Sequence, residues 1–359
     1  MTFPVAHSPE SGPVDRGRAF GTRWRTEVRA TAARYDELFA ASGAGPGQVR
    51  DWSLRALDRT AAWAPDQARE IAAIAEGAGL RPWQVAALNA RTEILAALRA
   101  GGEGECSTAV TLPGAGLPPR TVQTWDWHDR LREAPLLWEY EPRPGHRVRT
   151  FTEFGVLAKI GVNGAGLGVH FNILRHASDH ADIGVPVHLV ARRILDEAAG
   201  VGDALEIAWS ARTSASTVIT VVAFDGERAT AKSIEVCPAG VAAVPVDAGG
   251  VLLHSNHFLD PALAVGERLG TERPGTYTRL KHMEDRTGDL GAADATGRAH
   301  AMLSHGPDGA PVCAHADPAE EFNVRMETLA TIALDVAAGR LLAHRGGPCQ
   351  VTASTWQVL

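Results

Sequence analysis

No stretch of the sequence is both long and apolar enough to cross a lipid bilayer. The longest apolar runs, such as Gly200–Ala208 and Thr217–Phe224, fall well short of the roughly 20 residues that a membrane helix needs. The N-terminal segment Met1–Gly17 has no cationic start followed by an apolar stretch, so it lacks the pattern of a secretion signal. These absences predict a cytoplasmic protein with no membrane partner, in which residues 1–17 form a disordered lead.

Clustered positive charge is also missing. The chain has 35 Lys+Arg against 42 Asp+Glu, a net charge of -7, and no basic block. A protein that binds DNA or RNA needs grouped cations to replace the counterions of the phosphates. We therefore expect no nucleic-acid partner.

Cysteine is scarce, and no C-x-x-C pair occurs. The four cysteines are widely and irregularly spaced: Cys106, Cys237, Cys313 and Cys349. A reducing cytoplasm would keep them as thiols, so no disulfide framework is expected. The question is which thiol, if any, has special chemistry.

Signals for a metal or a cofactor are weak. His176 and His180 are four residues apart, but ligands at that spacing meet on a helix, and this segment follows a strand directly. The glycines from Gly161 to Gly168 lack the strand–turn–helix context of a dinucleotide loop. We therefore predict no metal and no cofactor.

The first hundred residues read as helix. Apolar residues recur at helical spacing over Thr22–Ser42, Val49–Ala78 and Arg81–Ala100, with charged residues on the other faces. The glycine-rich segment Gly101–Gly104 then ends this region. A helical N-terminal segment is the first element of the predicted fold.

After residue 105 the sequence pattern becomes typical of β-strands. Short apolar runs alternate with Pro- and Gly-rich turns, and Asn163-Gly164 between two such runs predicts a β-hairpin. Helices are predicted over Val185–Ala199 and Asp203–Ala211. Strands in runs and helices in runs indicate an α+β fold in which antiparallel sheet is covered by helices.

Cys106 is the cysteine with the most suggestive surroundings. It lies in GGEGECSTAV, where the glycine-rich segment meets the first strand, and Ser107 and Thr108 follow it. Twenty residues on, QTWDWH places Asp126 between Trp125 and Trp127; in a strand, its carboxylate points away from both indoles. The residues alone leave two readings open, a buried structural thiol or a nucleophile beside an acid.

Five segments in order resemble the penicillin acyltransferase family of N-terminal-nucleophile hydrolases. They are ECST with TWDW, GVNGAGLGVHFNIL, HSNHFLD, TYTRLKHM and VRMETLATIALDVAAGRLLAHRGGPC. That family also includes amidases acting on β-alanyl amines such as carcinine. The resemblance implies a four-layer αββα sandwich with a helical N-terminal segment.

The same resemblance implies self-cleavage between Glu105 and Cys106. Residues 18–105 would be a helical propeptide that becomes the small subunit, and residues 106–359 the catalytic large subunit. The apolar faces of the small subunit would keep the two pieces associated. The α-amine freed on Cys106 could then act as base for its own thiol, because the two groups have similar ordinary pKa values.

The resemblance also assigns roles to individual residues. Cys106 would be the nucleophile, Asp126 the family's Trp-Asp acid, Asn256 an oxyanion donor through Nδ2, and Arg325 the catalytic arginine that pairs with Asp126. Without the family, Arg325 reads as a surface arginine of a strand. Expected substrate contacts are Thr108, Trp125, Trp127 and His257.

Four functions are open under this interpretation. The favoured one is hydrolysis of a small N-acyl or aminoacyl amide, such as a β-alanyl amide, through a thioester on Cys106. The nearest alternative is transfer of the acyl group to an amine, since water or an amine can attack the same thioester. A different class is an uncleaved binding protein of the same fold; a thiol enzyme with a histidine base is also open.

Overall fold

The N-terminal third of the chain is helical, as the sequence predicts. A computed structural model describes residues 2–99, 105–114, 116–305 and 310–359; the predicted break at Gly101–Gly104 lies outside them. Within the described residues before Cys106 there are six helices: α1 (Pro13–Arg23), α2 (Arg25–Ala41), α3 (Pro46–Trp63), α4 (Pro65–Ala78), α5 (Pro82–Asn89) and α6 (Arg91–Leu98). The helical stretch predicted over Val49–Ala78 divides at Ala64, because Pro65 has no N–H to continue a helix and instead starts α4.

The strands form two sheets, so the α+β class is confirmed. An eight-stranded sheet has the order β1-β4-β5-β6-β7-β8-β9-β10 and a six-stranded sheet the order β11-β2-β3-β12-β13-β14. The strands are β1 (Val5–Ser8), β2 (Cys106–Thr111), β3 (Arg120–His128), β4 (Pro135–Arg143), β5 (His146–Glu153), β6 (Ile160–Asn163), β7 (Leu167–Leu174), β8 (Ser216–Phe224), β9 (Ala229–Cys237), β10 (Gly240–Pro245), β11 (Val251–His254), β12 (Met326–Asp335), β13 (Arg340–Arg345) and β14 (Gln357–Val358).

The start of the chain corrects the predicted disordered lead. Val5–Ser8 pairs parallel to β4 at the edge of the eight-stranded sheet, and helix α1 begins at Pro13. Phe3 and Ala6 are buried in the main core. The backbone pairing and this apolar contact hold a segment whose polar composition favoured disorder.

The predicted hairpin is confirmed. β6 ends at Asn163 and β7 begins at Leu167, with antiparallel pairing between them. The Asn163 side chain accepts hydrogen bonds from the backbone N–H groups of Ala165 and Leu167, so it closes the turn itself.

The two sheets face each other through β2, β3 and β7. Thr108 Oγ1 on β2 donates to Asn172 Oδ1 on β7 at 2.7 Å, and Gln123 Nε2 on β3 donates to the Phe171 carbonyl at 2.7 Å. These side chains are buried and mutually satisfied, which fixes the sheets against each other. Cys106 lies at one end of this contact.

Most of the later helices pack against the two sheets. These later helices are α7 (Val187–Glu197), α8 (Val201–Ser210), α9 (Leu269–Glu272), α10 (Gly275–Glu284), α11 (Thr287–Leu290) and α12 (Ala295–Ala301). Met283 and Ala299, from α10 and α12, pack on Ala109 and Val122 of the six-stranded sheet. α7 and α8 contact the eight-stranded sheet.

Buried charge ties the N-terminal helices to the rest of the chain. Glu70 on α4 pairs with Arg16 at 2.7 Å and with Arg192 on α7 at 2.9 Å, all three being buried. Glu153 on β5 likewise pairs with Arg91 on α6 at 3.0 Å.

Among the described residues, no helix is long and apolar enough to cross a membrane.

Candidate active site

Cys106 lies at the start of β2, and a side chain holds its backbone in place. Its N–H donates to Asn256 Oδ1 at 2.8 Å, and its side chain is buried. Asn256 follows β11, and its Nδ2 donates to the carbonyl of Ile173 at 2.8 Å. Asn256 therefore presents its oxygen to the nitrogen of Cys106, whereas the oxyanion-donor role expected for Nδ2 stays a prediction.

Arg279 completes this arrangement, and sequence reasoning missed it. Its Nη1 donates to the Cys106 carbonyl at 2.7 Å and to Ser107 Oγ at 3.0 Å, while Nη2 donates to Asn256 Oδ1 at 2.9 Å. Two guanidinium nitrogens thus bridge the candidate nucleophile and the asparagine that contacts it. The side chain is 1% exposed because α10 packs against β2.

Glu105, on the other side of the expected scissile bond, meets two cations. Its carboxylate lies 3.6 Å from Arg273 Nη1 and 3.5 Å from Arg279 Nε. Arg279 therefore contacts the residues on both sides of the Glu105–Cys106 peptide bond. A fixed positive charge at this place favours any negative charge that develops there.

Asp126 points away from the tryptophans, as the strand alternation predicts. Its Oδ1 accepts a hydrogen bond from Thr328 Oγ1 on the neighbouring strand at 2.6 Å, whereas Trp127 Nε1 donates to Tyr35 on the other face. Oδ2 has no hydrogen-bond partner among the described residues. Burial raises the pKa of the Asp126 carboxyl well above its ordinary value, and Thr328 and Arg279 offset only part of this rise.

The predicted ion pair between Arg325 and Asp126 is wrong. Arg325 Nε lies 2.9 Å from Asp129 Oδ2, just beyond the end of β3. The register explains the difference, because Thr328 is the residue of β12 opposite Asp126. Any catalytic role of Arg325 therefore stays a prediction, without a contact to Asp126 to support it.

The thiol of Cys106 is protonated in this environment. Burial, and then the neighbouring Asp126 carboxyl, raises the pKa of Cys106 to about 12. A hydrogen bond from the backbone of Asp126 and the positive charges of Arg279 and Lys159 act to lower this pKa. A nucleophile in this place needs a nearby base or a change in its surroundings before it can react near neutral pH.

Lys159 is a second residue that sequence reasoning missed. Its Nζ lies 2.5 Å from Glu153 Oε2 and 3.6 Å from the centroid of the Trp125 ring, and it is buried. Burial lowers the pKa of Lys159 to about 7, although Glu153 acts to raise it. The Lys159 ammonium group thus lies over the ring of Trp125, the cross-strand partner of Cys106.

The four expected substrate contacts divide into two groups. Trp125 is the cross-strand partner of Cys106, and Thr108 lies two residues along the same face, so both share the intersheet side with the thiol. Trp127 stacks on Trp125 with ring centroids 6.2 Å apart. His257 instead lies against Tyr277 and Thr276 of α10, on the side of Asn256.

Comparison with known proteins shows the family to which this chain belongs. Residues 120–348 match the model of the family described as acyl-coenzyme A:6-aminopenicillanic acid acyl-transferase. The chain belongs to this acyl-transferase family. The resemblance inferred from the five sequence segments is confirmed. The matched part of this chain includes Asp126, Asn256, Arg279 and Arg325.

One protein sequence and one solved structure are similar to this chain. The 40 kDa form of acyl-coenzyme A:6-aminopenicillanic-acid-acyltransferase from Emericella nidulans is 27% identical over 285 residues, which cover 79% of this chain and 76% of that protein. The structure of penicillin V acylase from Agrobacterium tumefaciens matches 70% of this chain and 84% of its own, with a TM-score of 0.45 and 14% identity. This acyl-transferase family member is thus a distant homologue of the Emericella protein.

Proposed function

We propose that this protein is a self-cleaving N-terminal-cysteine amidohydrolase. It would cut its own Glu105–Cys106 bond and then hydrolyse a small N-acyl or aminoacyl amide through a thioester on Cys106. In this proposal, the two sheets with their covering helices are the four-layer αββα sandwich of N-terminal-nucleophile hydrolases. Cys106 is the nucleophile, Asn256 and Arg279 hold it, and Asp126 is the acid beside it.

One observation carries the proposal: both main-chain polar groups of Cys106 are held by buried side chains. Asn256 accepts from the N–H at 2.8 Å and Arg279 donates to the carbonyl at 2.7 Å. A structural cysteine at the start of a strand needs only the sheet ladder to satisfy its backbone. An asparagine and an arginine that converge on this residue are better explained by a need to fix its position.

Self-cleavage follows from attack by the thiol on its own preceding carbonyl. Cys106 Sγ bonds to the carbonyl carbon of Glu105, the C–N bond breaks, and the proton lost by sulfur ends on the released amine. Water then opens the thioester, which leaves a carboxylate on Glu105 and regenerates the thiol. Arg279 donates to the Cys106 carbonyl at 2.7 Å and its Nε lies 3.5 Å from the Glu105 side-chain carboxylate, so it brings a positive charge beside the scissile bond that would favour the anionic intermediate.

Cleavage supplies the base that the buried thiol lacks. The peptide N–H that now donates to Asn256 becomes an α-amine, whose ordinary pKa is roughly 7.7–8.0. Held at the same place by Asn256 Oδ1, this amine can take the thiol proton as the substrate carbonyl is attacked. The amine of the substrate leaves with that proton, and water releases the acid from the thioester.

The fragments are expected to stay together after the cut. Glu70 and Arg91 in the N-terminal helices pair with Arg192 and Glu153 in the rest of the chain, and all four are buried. The rings of Phe20 and Trp138, one on each side of the cut, lie 4.5 Å apart between centroids. Separation would expose these charges and rings together.

Acyl transfer to an amine is the second candidate, and the family favours it. The Emericella relative is named as an acyltransferase that uses an acyl-coenzyme A and 6-aminopenicillanic acid. The two reactions share the acyl-enzyme and differ in whether water or an amine attacks it. A panel of N-acyl and β-alanyl amides, assayed for free acid with and without added amines, separates them.

The first experiment is intact mass with N-terminal sequencing of the wild type, of Cys106→Ala and of the control Cys237→Ala. Fragments of roughly 11 and 27 kDa are expected for the wild type and the control, from residues 1–105 and 106–359 of a 38.0 kDa chain. The larger fragment should begin Cys-Ser-Thr, and Cys106→Ala should stay whole. A wild type that stays whole would remove the free-amine mechanism and favour the uncleaved binding protein.

A further inference from the structure

Two histidines and two cysteines that the proposed chemistry does not use lie together near the C-terminal end of the chain. The His–Cys cluster comprises His305, Cys313, His315 and Cys349. One ligand atom from each residue, an imidazole nitrogen or a sulfur, lies within 4.8 Å of every other. Cys313 is buried, Cys349 is half-buried and the two histidines are exposed, so the cluster lies at the surface with one side closed by protein.

The three distances from His315 Nε2 to the other ligand atoms are close to those of a tetrahedral metal site. His315 Nε2 lies 3.7 Å from Cys313 Sγ, 3.7 Å from Cys349 Sγ and 3.1 Å from His305 Nε2. Zinc binds sulfur at about 2.3 Å and imidazole nitrogen at about 2.0–2.1 Å, so ligand atoms at tetrahedral corners are about 3.3–3.8 Å apart. One ion at the centre reaches all four atoms with small adjustments of the side chains.

The backbone is shaped to bring the sulfurs together. A Cβ atom on Gly347 would lie 2.4 Å from Cys313 Sγ, so the loop that carries Cys349 can approach this sulfur only with glycine at that position. On the other side, the N–H of Cys313 donates to the Ser304 carbonyl at 3.1 Å, which holds Cys313 beside His305. Three separate stretches of chain thus converge on one point.

We propose that the His–Cys cluster binds one structural Zn²⁺ ion. Two thiolates and two imidazoles in tetrahedral arrangement are the ligand set that selects zinc among the common divalent ions. Four protein ligands fill the coordination shell and leave no open position for a substrate, as in structural sites. This inference departs from the expectation of no metal, and it is independent of the proposed hydrolase function.

The cluster is linked to Asp126 through a single threonine. The N–H of Ala314, between two of the ligands, donates to Thr328 Oγ1 at 2.8 Å, and the N–H of Thr328 donates to the Ala314 carbonyl at 3.0 Å. Because Thr328 Oγ1 already accepts from Ala314, its own hydrogen is directed at Asp126 Oδ1, 2.6 Å away. A metal that fixes Cys313 and His315 would therefore also fix the hydroxyl that holds the buried acid.

The test begins with the metal content of the wild type, purified without a histidine tag and without chelators. We expect one zinc per chain by elemental analysis, and bands of tetrahedral cobalt with a thiolate charge-transfer absorption after exchange with Co²⁺. Cys349→Ser should lose most of the zinc and the charge-transfer intensity. The matched control Cys237→Ser removes a thiol elsewhere and should keep both.

Non-reducing mass analysis of the same wild-type sample covers the main rival arrangement. A Cys313–Cys349 disulfide, or free thiols with far less than one zinc per chain after incubation with zinc, would overturn the proposal. The wild-type measurement decides the matter even if Cys349→Ser fails to fold. His305→Ala, which alters an exposed ligand, gives a second variant whose weakened zinc retention against a chromogenic chelator is expected.

Discussion

The guanidinium of Arg279 lies 2.7 Å from the carbonyl oxygen of Cys106 and 3.5 Å from the carboxylate of Glu105, so one side chain contacts both residues of the proposed scissile bond. Arg279 also donates to Asn256, which accepts from the Cys106 N–H. The side chains of Glu105, Arg279 and Asn256 therefore form one connected arrangement around the Glu105–Cys106 peptide unit. The predictions below test this arrangement and the buried charges near it.

Arg279→Gln is expected to slow self-cleavage by roughly 10²–10³-fold, the typical cost of losing one preorganised donor at a developing charge. Glutamine keeps an amide donor but removes the charge and one of the two bridging nitrogens. The measurement is the rate at which the larger fragment appears, by gel and mass analysis of freshly synthesised chain. Circular dichroism would establish that the variant is folded.

Arg325→Gln is the matched comparison. Its partner is Asp129 rather than Asp126, so we expect self-cleavage within a few-fold of the wild type. If Arg325→Gln is slow and Arg279→Gln is fast, the role inferred from the resemblance is right and the one inferred from the contacts is wrong.

Self-cleavage should accelerate with pH across the whole neutral range. The pKa of the Cys106 thiol is about 12, so below this value each rise of one pH unit multiplies the thiolate fraction by about ten. Chain made by cell-free translation and shifted to buffers between about pH 6 and 9 gives the rate at each pH. A rate that levels off near pH 7 would instead indicate a general base with a pKa there.

Lys159 should make stability rise with pH. Its pKa is about 7 in the fold against an ordinary value of 10.5, so between these values the folded state binds fewer protons than the unfolded chain. The free energy of unfolding then increases as pH rises through this window and is lowest below it. Urea unfolding of Cys106→Ala, with and without Lys159→Met, should show that the rise depends on the lysine; an equal rise in both would contradict this assignment.

Glu70→Ala is expected to destabilise the intact chain by ~3–5 kcal/mol. The substitution leaves the guanidinium groups of Arg16 and Arg192 buried without their shared carboxylate. Chemical unfolding of Cys106→Ala with and without the substitution measures the loss. Glu76→Ala, which removes an exposed partner of Arg18, is the control and should change little.

The sequence predicts the parts of the site that lie close together along the chain. The interval from Cys106 to Asp126 is one β-hairpin, so strand alternation correctly places the acid opposite the tryptophans. Asn163 closes its hairpin because asparagine and glycine carry the turn in their own chemistry. Local rules suffice where the partners are local.

Arg279 and Lys159 could not be found in this way. In TYTRLKHM the arginine reads as one more polar residue of a helix, and its burial results from docking of α10 on β2, more than 160 residues earlier. Lys159 stands beside the predicted hairpin, and its low pKa arises from burial in the core and, to a lesser extent, from the nearby charge of Arg91. The His–Cys cluster could not be found from the sequence either, because its ligands are spread from His305 to Cys349 and form no short motif.

The parallel strand β1 belongs to the segment before Cys106, whereas its neighbour β4 follows it. A cut at Glu105 would therefore make one sheet out of two polypeptides, with the smaller one capping an edge of the larger. A chain synthesised from Cys106 onward would offer β4 as an open edge, ready to pair with another copy. The N-terminal segment would thus cover this edge during folding and, after the cut, continue to prevent edge-to-edge aggregation.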